Sequence, residues 1–128
     1  MEKNHELLAE LRAPTSSLRH AVPDTWAAFV SLHGAAMAEG EVPTRLKEAV
    51  ALAISVVKRC DGCIAYHAKA AAKAGATPAE VAEILAVALL MDGGTASVYA
   101  PLAWDAFNEF VADIPRVDVE RAVASGAH

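Results

Sequence analysis

Aromatic residues are scarce in this chain, at 5%, although 55% of its 128 residues are hydrophobic. Burial must therefore come from alanine and aliphatic side chains, as in closely packed helices. Strand signals are nearly absent. The Asp-Gly pairs, Asp61-Gly62 and Asp92-Gly93, do not join alternating apolar runs, so no hairpin is indicated. Basic residues are the minority, 11 Lys and Arg against 16 Asp and Glu, for a net charge of −5, and they form no run. Phosphate binding needs a basic footprint, which excludes nucleic acid as the expected partner. Apolar runs such as Ala49–Val57 and Val81–Met91 are too short to span a bilayer. The start, Met1-Glu2-Lys3-Asn4-His5-Glu6, has no basic lead into an apolar stretch and does not read as a signal peptide. A cytoplasmic protein without membrane contact is the expectation. Cysteine is rarest in its implications: there are only two. In a reducing compartment a close pair of thiols is more often catalytic or metal-binding than structural.

What is present is helical. Leu7, Leu8 and Leu11 suggest a short first helix ending near Pro14. Asp24 can cap a second, in which Trp26, Val30, His33 and Met37 recur at helical spacing before Gly40. A third runs from about Arg45 to Lys58; its apolar residues go nearly all round, which predicts burial on every side and hints at oligomerisation. The fourth starts at the cysteines and ends at Gly75, a residue suited to the left-handed position after a helix. Thr77-Pro78-Ala79-Glu80 spells a capping box with proline at the first helical position. Val81, Ile84, Leu85, Ala88 and Leu89 form the inward stripe of the helix that follows, which Gly93-Gly94 breaks. A last helix spans roughly Thr95 to Val111, with Pro101 expected to kink or restart it, and the tail after Pro115 reads as a frayed helix. The sum is one all-α domain over residues 1–128, a bundle of about six helices.

Chemistry concentrates at Cys60-Asp61-Gly62-Cys63, with His67 four residues further on. If the cysteines open a helix, its unpaired amides and dipole favour thiolate over thiol. Residues three apart in such a turn lie within reach of a disulfide, and His67 falls on the face of Cys63 one turn deeper, where it can move the thiol proton. Asp61 opposes thiolate formation and Arg59 offsets it. Glu48 is the second candidate: a carboxylate in a predominantly apolar helix is either exposed or has a purpose, and a buried one can carry protons near neutrality.

Three stretches together resemble a known family: Val42-Pro-Thr-Arg-Leu-Lys-Glu-Ala-Val-Ala-Leu-Ala-Ile-Ser55, Cys60-Asp-Gly-Cys-Ile-Ala-Tyr-His67, and Ala74-Gly-Ala-Thr-Pro-Ala-Glu80. They are similar to the alkylhydroperoxidase D / carboxymuconolactone decarboxylase family, over about residues 40–95. The resemblance implies an all-helical fold, homo-oligomers (trimers or hexamers), and a dithiol/disulfide cycle at Cys60 and Cys63 with Glu48 and His67 in a proton relay. It further implies a peroxide or disulfide substrate and an external dithiol or redox partner protein as reductant. Some members carry a histidine between the cysteines, where this chain has Gly62. This chain is shorter than two-lobed members, which makes subunit contacts a candidate part of the site. The family's decarboxylases lack the cysteine pair, so its presence tilts the reading from lyase to redox protein.

Other readings are weaker. Two sulfurs and one imidazole lack a fourth ligand for zinc, so neither a metal nor a cofactor is expected. His33 shares an apolar face with Trp26 and Met37 and reads as a hydrogen-bonded core histidine; Tyr66 reads as packing, and Glu80 and Glu83 as a solvated face. A lyase using Glu48 and His67 on a lactone, or a helical assembly protein without catalysis, are the alternatives to a thiol oxidoreductase.

Overall fold

The computed structural model describes residues 2–115, so the tail expected as a frayed helix lies outside the described residues. Six helices follow in order: α1 (Lys3–Ala21), α2 (Pro23–Met37), α3 (Thr44–Lys58), α4 (Asp61–Ala74), α5 (Pro78–Asp92) and α6 (Ala96–Val111). Among the described residues there is no strand, and no helix is long and apolar enough to cross a membrane.

The centre is α3, α4, α5 and α6, packed through small side chains. Ala49, Ala68, Ala71, Ala96, Ala103 and Ala106 are buried beside Leu52, Val56, Val81, Leu85 and Phe107. Alanine lets helix axes approach closely and loses no rotamer freedom on burial. The inward stripe of α5 is narrower than the sequence suggests: Val81, Leu85 and Ala88 are buried, Ile84 is half-buried, and Leu89 is 41% exposed.

The start of α5 is the capping box the sequence spells. Thr77 Oγ1 accepts the Glu80 N–H, and Glu80 accepts the Thr77 N–H. Glu80 also takes both bonds from Arg45 Nε and pairs with its guanidinium at 3.1 Å. It therefore ties α5 to α3, which corrects the solvated face expected there; Glu83 is exposed. Burial pushes the Glu80 carboxyl up, but Arg45 and the Thr77 amide together hold it below the usual range.

Two prolines break no helix. Pro14 lies within α1 and Pro101 within α6. Proline removes one backbone bond, and the penalty is steep where water cannot replace it. Residues 9–14 are all exposed, as is Pro101, so solvent can satisfy the freed carbonyl. Asp24 is likewise not the cap of α2: Val22 holds that position, Pro23 opens the helix, and Asp24 sits in the first turn, where its charge suits the dipole.

α1 lies across α4 and is clasped at its start by α6. Glu2, at its N-cap, makes no side-chain cap bond. The Asn4 and His5 amides donate instead to Glu109 of α6, at 3.2 and 2.8 Å, so a remote carboxylate caps the helix. The His5 ring donates to Glu109 through Nδ1 and to Asp113 through Nε2. Asp113 and then Glu109 raise the His5 pKa above 6.5. Burial pushes Glu109 up, but its bonds from Asn4 and His5 outweigh this and hold it below 4.5. The signs fix a window. The His5 contribution is complete below its unfolded value and is lost as pH rises through the raised one. The Glu109 contribution is complete above its unfolded value and is lost as pH falls through the lowered one. Accordingly His5→Ala should lower the melting temperature more at about pH 5.5 than at about pH 9, in paired thermal melts of both proteins.

Candidate functional site

The site is built on the turn between α3 and α4. The Arg59 amide donates to Val56 O and the Cys60 amide to Ser55 O, the paired bonds that close a helix through a left-handed residue. That residue is Arg59, at φ 55°, a conformation that glycine takes freely and a side chain takes at a cost. Only Arg59 and Cys60 separate the two helices, so α4 folds straight back along α3.

Cys60 is the N-cap of α4, and its Sγ accepts the Cys63 N–H at 3.2 Å. The two cysteines form a disulfide with a Cα–Cα distance of 5.1 Å, and both are half-buried. Capping by sulfur has a redox consequence. If the bond is reduced, a Cys60 thiolate already has a backbone donor and the positive end of α4 beside it.

Glu48 comes from the middle of α3 and is 5% exposed. It meets the half-buried His67 of α4, with Nδ1 to Oε1 at 2.8 Å. A carboxylate only accepts, so Nδ1 carries the hydrogen and Nε2 is the ring nitrogen left for another partner. Arg45 and Lys47 do not engage Glu48: Arg45 pairs with Glu80 and Lys47 donates to Ala38 O. The structure thus joins Glu48 to His67 and Cys60 to Cys63, with the two pairs one turn apart along α4.

His33 also belongs to this neighbourhood, contrary to a hydrogen-bonded core histidine. Its ring lies 6.5 Å from the His67 ring at an interplanar angle of 20°, and 6.0 Å from the Tyr66 ring edge-on. Its Nε2 is buried and finds no hydrogen-bond partner among the described residues. Only its place on the half-buried stripe with Trp26 and Met37 was visible in the sequence; nothing near it in the chain ties it to the cysteines. A Cβ at Gly62 would stand 3.2 Å from Cδ1 of Leu11, so α1 lies close over the turn and a side chain there would press on it.

Residues 23–106 match the carboxymuconolactone decarboxylase family. The chain belongs to that family. It is 36% identical over 104 residues to an uncharacterized protein of Cupriavidus necator, covering 79% of this chain and 92% of the relative. It is 34% identical over 82 residues to uncharacterized protein 4 in the cox locus of Paracoccus denitrificans, covering 64% of this chain and 74% of the relative. Among solved structures it is similar to an apo carboxymuconolactone decarboxylase family protein from Legionella pneumophila, with a TM-score of 0.83 and 33% identity, over 87% of this chain and 99% of that one. The all-α architecture read from the sequence is the architecture found.

The turn makes a direct prediction. Arg59→Gly should be neutral or stabilising, whereas Arg59→Val, branched at Cβ and equally held at φ 55°, should cost about 1–2 kcal/mol in urea unfolding.

Proposed function

We propose that this protein is a thiol oxidoreductase that reduces peroxides or disulfides by cycling Cys60 and Cys63 between dithiol and disulfide. The observation that supports it most directly is the pairing of a half-buried disulfide at a helix N-terminus with a carboxylate-anchored imidazole one turn away. Together they supply a nucleophile and a proton carrier.

In this reading Cys63 is the attacking sulfur. With the pair reduced, His67 takes the Cys63 proton through Nε2 while Glu48 holds the ring and offsets its charge. The Cys63 thiolate attacks the terminal oxygen of a hydroperoxide. The O–O bond breaks, the alkoxide leaves as an alcohol after taking a proton from His67, and Cys63 becomes a sulfenic acid. Cys60 gives its own proton to the now neutral His67 and, as a thiolate stabilised by the Cys63 N–H, attacks that sulfur; the S–O bond breaks and the departing hydroxide takes that proton from His67 to leave as water. Two thiols have given two electrons to one peroxide. An external dithiol or redox partner protein returns them: its thiolate attacks Cys63, Cys60 departs as the better stabilised thiolate, and the reductant closes its own disulfide. Such a cycle belongs in a reducing compartment, which makes the cytoplasm the proposed location.

Cys60→Ser and Cys63→Ser should each abolish dithiol-dependent reduction of tert-butyl hydroperoxide. Glu48→Gln and His67→Ala should lower it on the order of 10²-fold. Treated with a disulfide and followed by mass spectrometry, Cys60→Ser should form its adduct on Cys63 at least tenfold faster than Cys63→Ser forms one on Cys60; the reverse order would exchange the roles of the two sulfurs. If a lactone substrate is instead turned over by the Cys60→Ser/Cys63→Ser double variant, the decarboxylase branch is the right home for the activity. If the unaltered protein turns over neither peroxide, disulfide nor lactone and its cysteines show no redox-sensitive change, the protein is a non-catalytic assembly module.

The reading includes self-association. The full burial expected of α3 is not reached within one protomer: Val50, Ile54 and Val57 are 46%, 52% and 39% exposed. They share a groove of about 470 Å³ with Val87 and Met91 of α5, lined almost wholly by apolar atoms. Leu90 beside it is 81% exposed, and α2 presents Phe29 and Leu32 at 58% and 64%. An apolar surface this extensive is covered in most proteins by another chain. We expect a trimer or hexamer, read by light scattering as three or six times 13.4 kDa, and loss of that mass in Ile54→Glu.

A further inference from the structure

The two sides of α1 differ in charge, and the difference bears on what reaches the cysteine turn. Where α1 crosses α4, its first half borders a small cavity of about 290 Å³ that carries Glu6, Glu10, Asp61 and Asp105 with only Lys3 in opposition. Its other side borders a groove of about 700 Å³ walled by Arg12 and Arg19 of α1 and by Lys69 and Lys73 of α4. No carboxylate lines this groove, in a chain whose acids outnumber its bases by 16 to 11. Among the described residues none of these four cations forms an ion pair; the only side-chain partner is the Ser16 hydroxyl, 3.5 Å from Arg19. Uncompensated like charges facing one another across a concave surface repel, and an anion between them relieves that repulsion.

The floor is of different character. Leu8, Leu11, Ala70 and the ring of Tyr66 line it, together with Gly62. Gly62 lies between the two cysteines, and Tyr66 packs edge-on against His67 with ring centroids 5.1 Å apart. On α4 the groove stripe of Gly62, Tyr66, Lys69 and Lys73 sits one residue behind the stripe of Cys63 and His67. The groove therefore runs from four cations to the edge of the redox turn over an apolar bed. Its volume falls in the range of small-molecule sites, about 300–1,000 Å³.

We propose that this groove binds an amphipathic carboxylate, an alkyl chain on the floor and its acid group among Arg12, Arg19, Lys69 and Lys73. Resting on the redox reading above, the proposal names the preferred substrate class: hydroperoxides of medium- or long-chain carboxylic acids. A neutral apolar molecule would use the floor but leave the cations unpaired. A small inorganic anion would do the reverse.

Decanoate and decanol separate the chain from the charge. Titrated into the oxidised full-length protein and followed by amide NMR, decanoate should bind at least tenfold more tightly than decanol, with shifts at Leu11, Gly62 and Tyr66. Raising the salt should weaken decanoate and not decanol. Lys69→Glu/Lys73→Glu should erase the difference while retaining the helical circular-dichroism spectrum. In turnover, the ratio of kcat/KM for a carboxylated alkyl hydroperoxide to that for its methyl ester should exceed ten and fall toward one in the same variant. Equal binding of decanoate and decanol would overturn the proposal. So would a change in assembly mass in the double variant, since the cations would then serve acids of a second copy. Decanoate binding without turnover of any peroxide or disulfide would retain the groove and remove the redox reading. Turnover of small peroxides without preference for the carboxylate would do the opposite.

Discussion

The hydrogen bond between Glu48 and His67 is the constraint from which the rest of the site follows. It joins the interior of α3 to the face of α4 that carries Cys63, and it exists only because Arg59 and Cys60 reverse the chain within two residues. Burying a carboxylate is costly unless it is satisfied, so Glu48 in turn favours the register of the two helices that brings an imidazole to it. The same reversal makes Cys60 the cap of α4 and leaves its sulfur bonded to an amide. One short turn thus sets the spacing of the sulfurs, the direction of the helix dipole and the partner of the ring.

α1 and α6 act on this centre from outside. Glu109 and Asp113 hold the start of α1, and Leu11 further along it rests on Gly62. A Cβ at position 62 would press on that leucine methyl, so a side chain there requires Leu11 to give way. The clasp and the contact together place a positively charged wall on one flank of the turn and a negatively charged one on the other.

Much of this was legible in the sequence because it is local. Cys-x-x-Cys with a histidine four residues on, the capping box at Thr77 and the glycine at position 75 are each read within a single turn, and each stands where the spacing puts it. The misreadings concern what a neighbouring segment does. Pro14 was taken as the end of a helix and Pro101 as a kink or a fresh start, whereas each lies inside a continuous helix, because the penalty of proline depends on whether water reaches the freed carbonyl. Glu80 was taken as solvated, because Arg45 lies 35 residues away in sequence. His33 was assigned to a core that α2 does not have: no residue of that helix is fully buried. The near-continuous apolar surface of α3 was read as burial on every side with a hint of oligomerisation; within one protomer Val50, Ile54 and Val57 face outward.

The alanine-built interior has a further consequence. A methyl group has no rotamers to exchange, so a core composed largely of methyls holds little of the side-chain hopping that blurs positions in leucine-rich cores. Helices seated on such a surface behave as rigid rods, with few internal degrees of freedom to absorb a shift. Any opening of the bond between the sulfurs would then be accommodated within the first turn of α4 itself, leaving the frame behind it almost undisturbed.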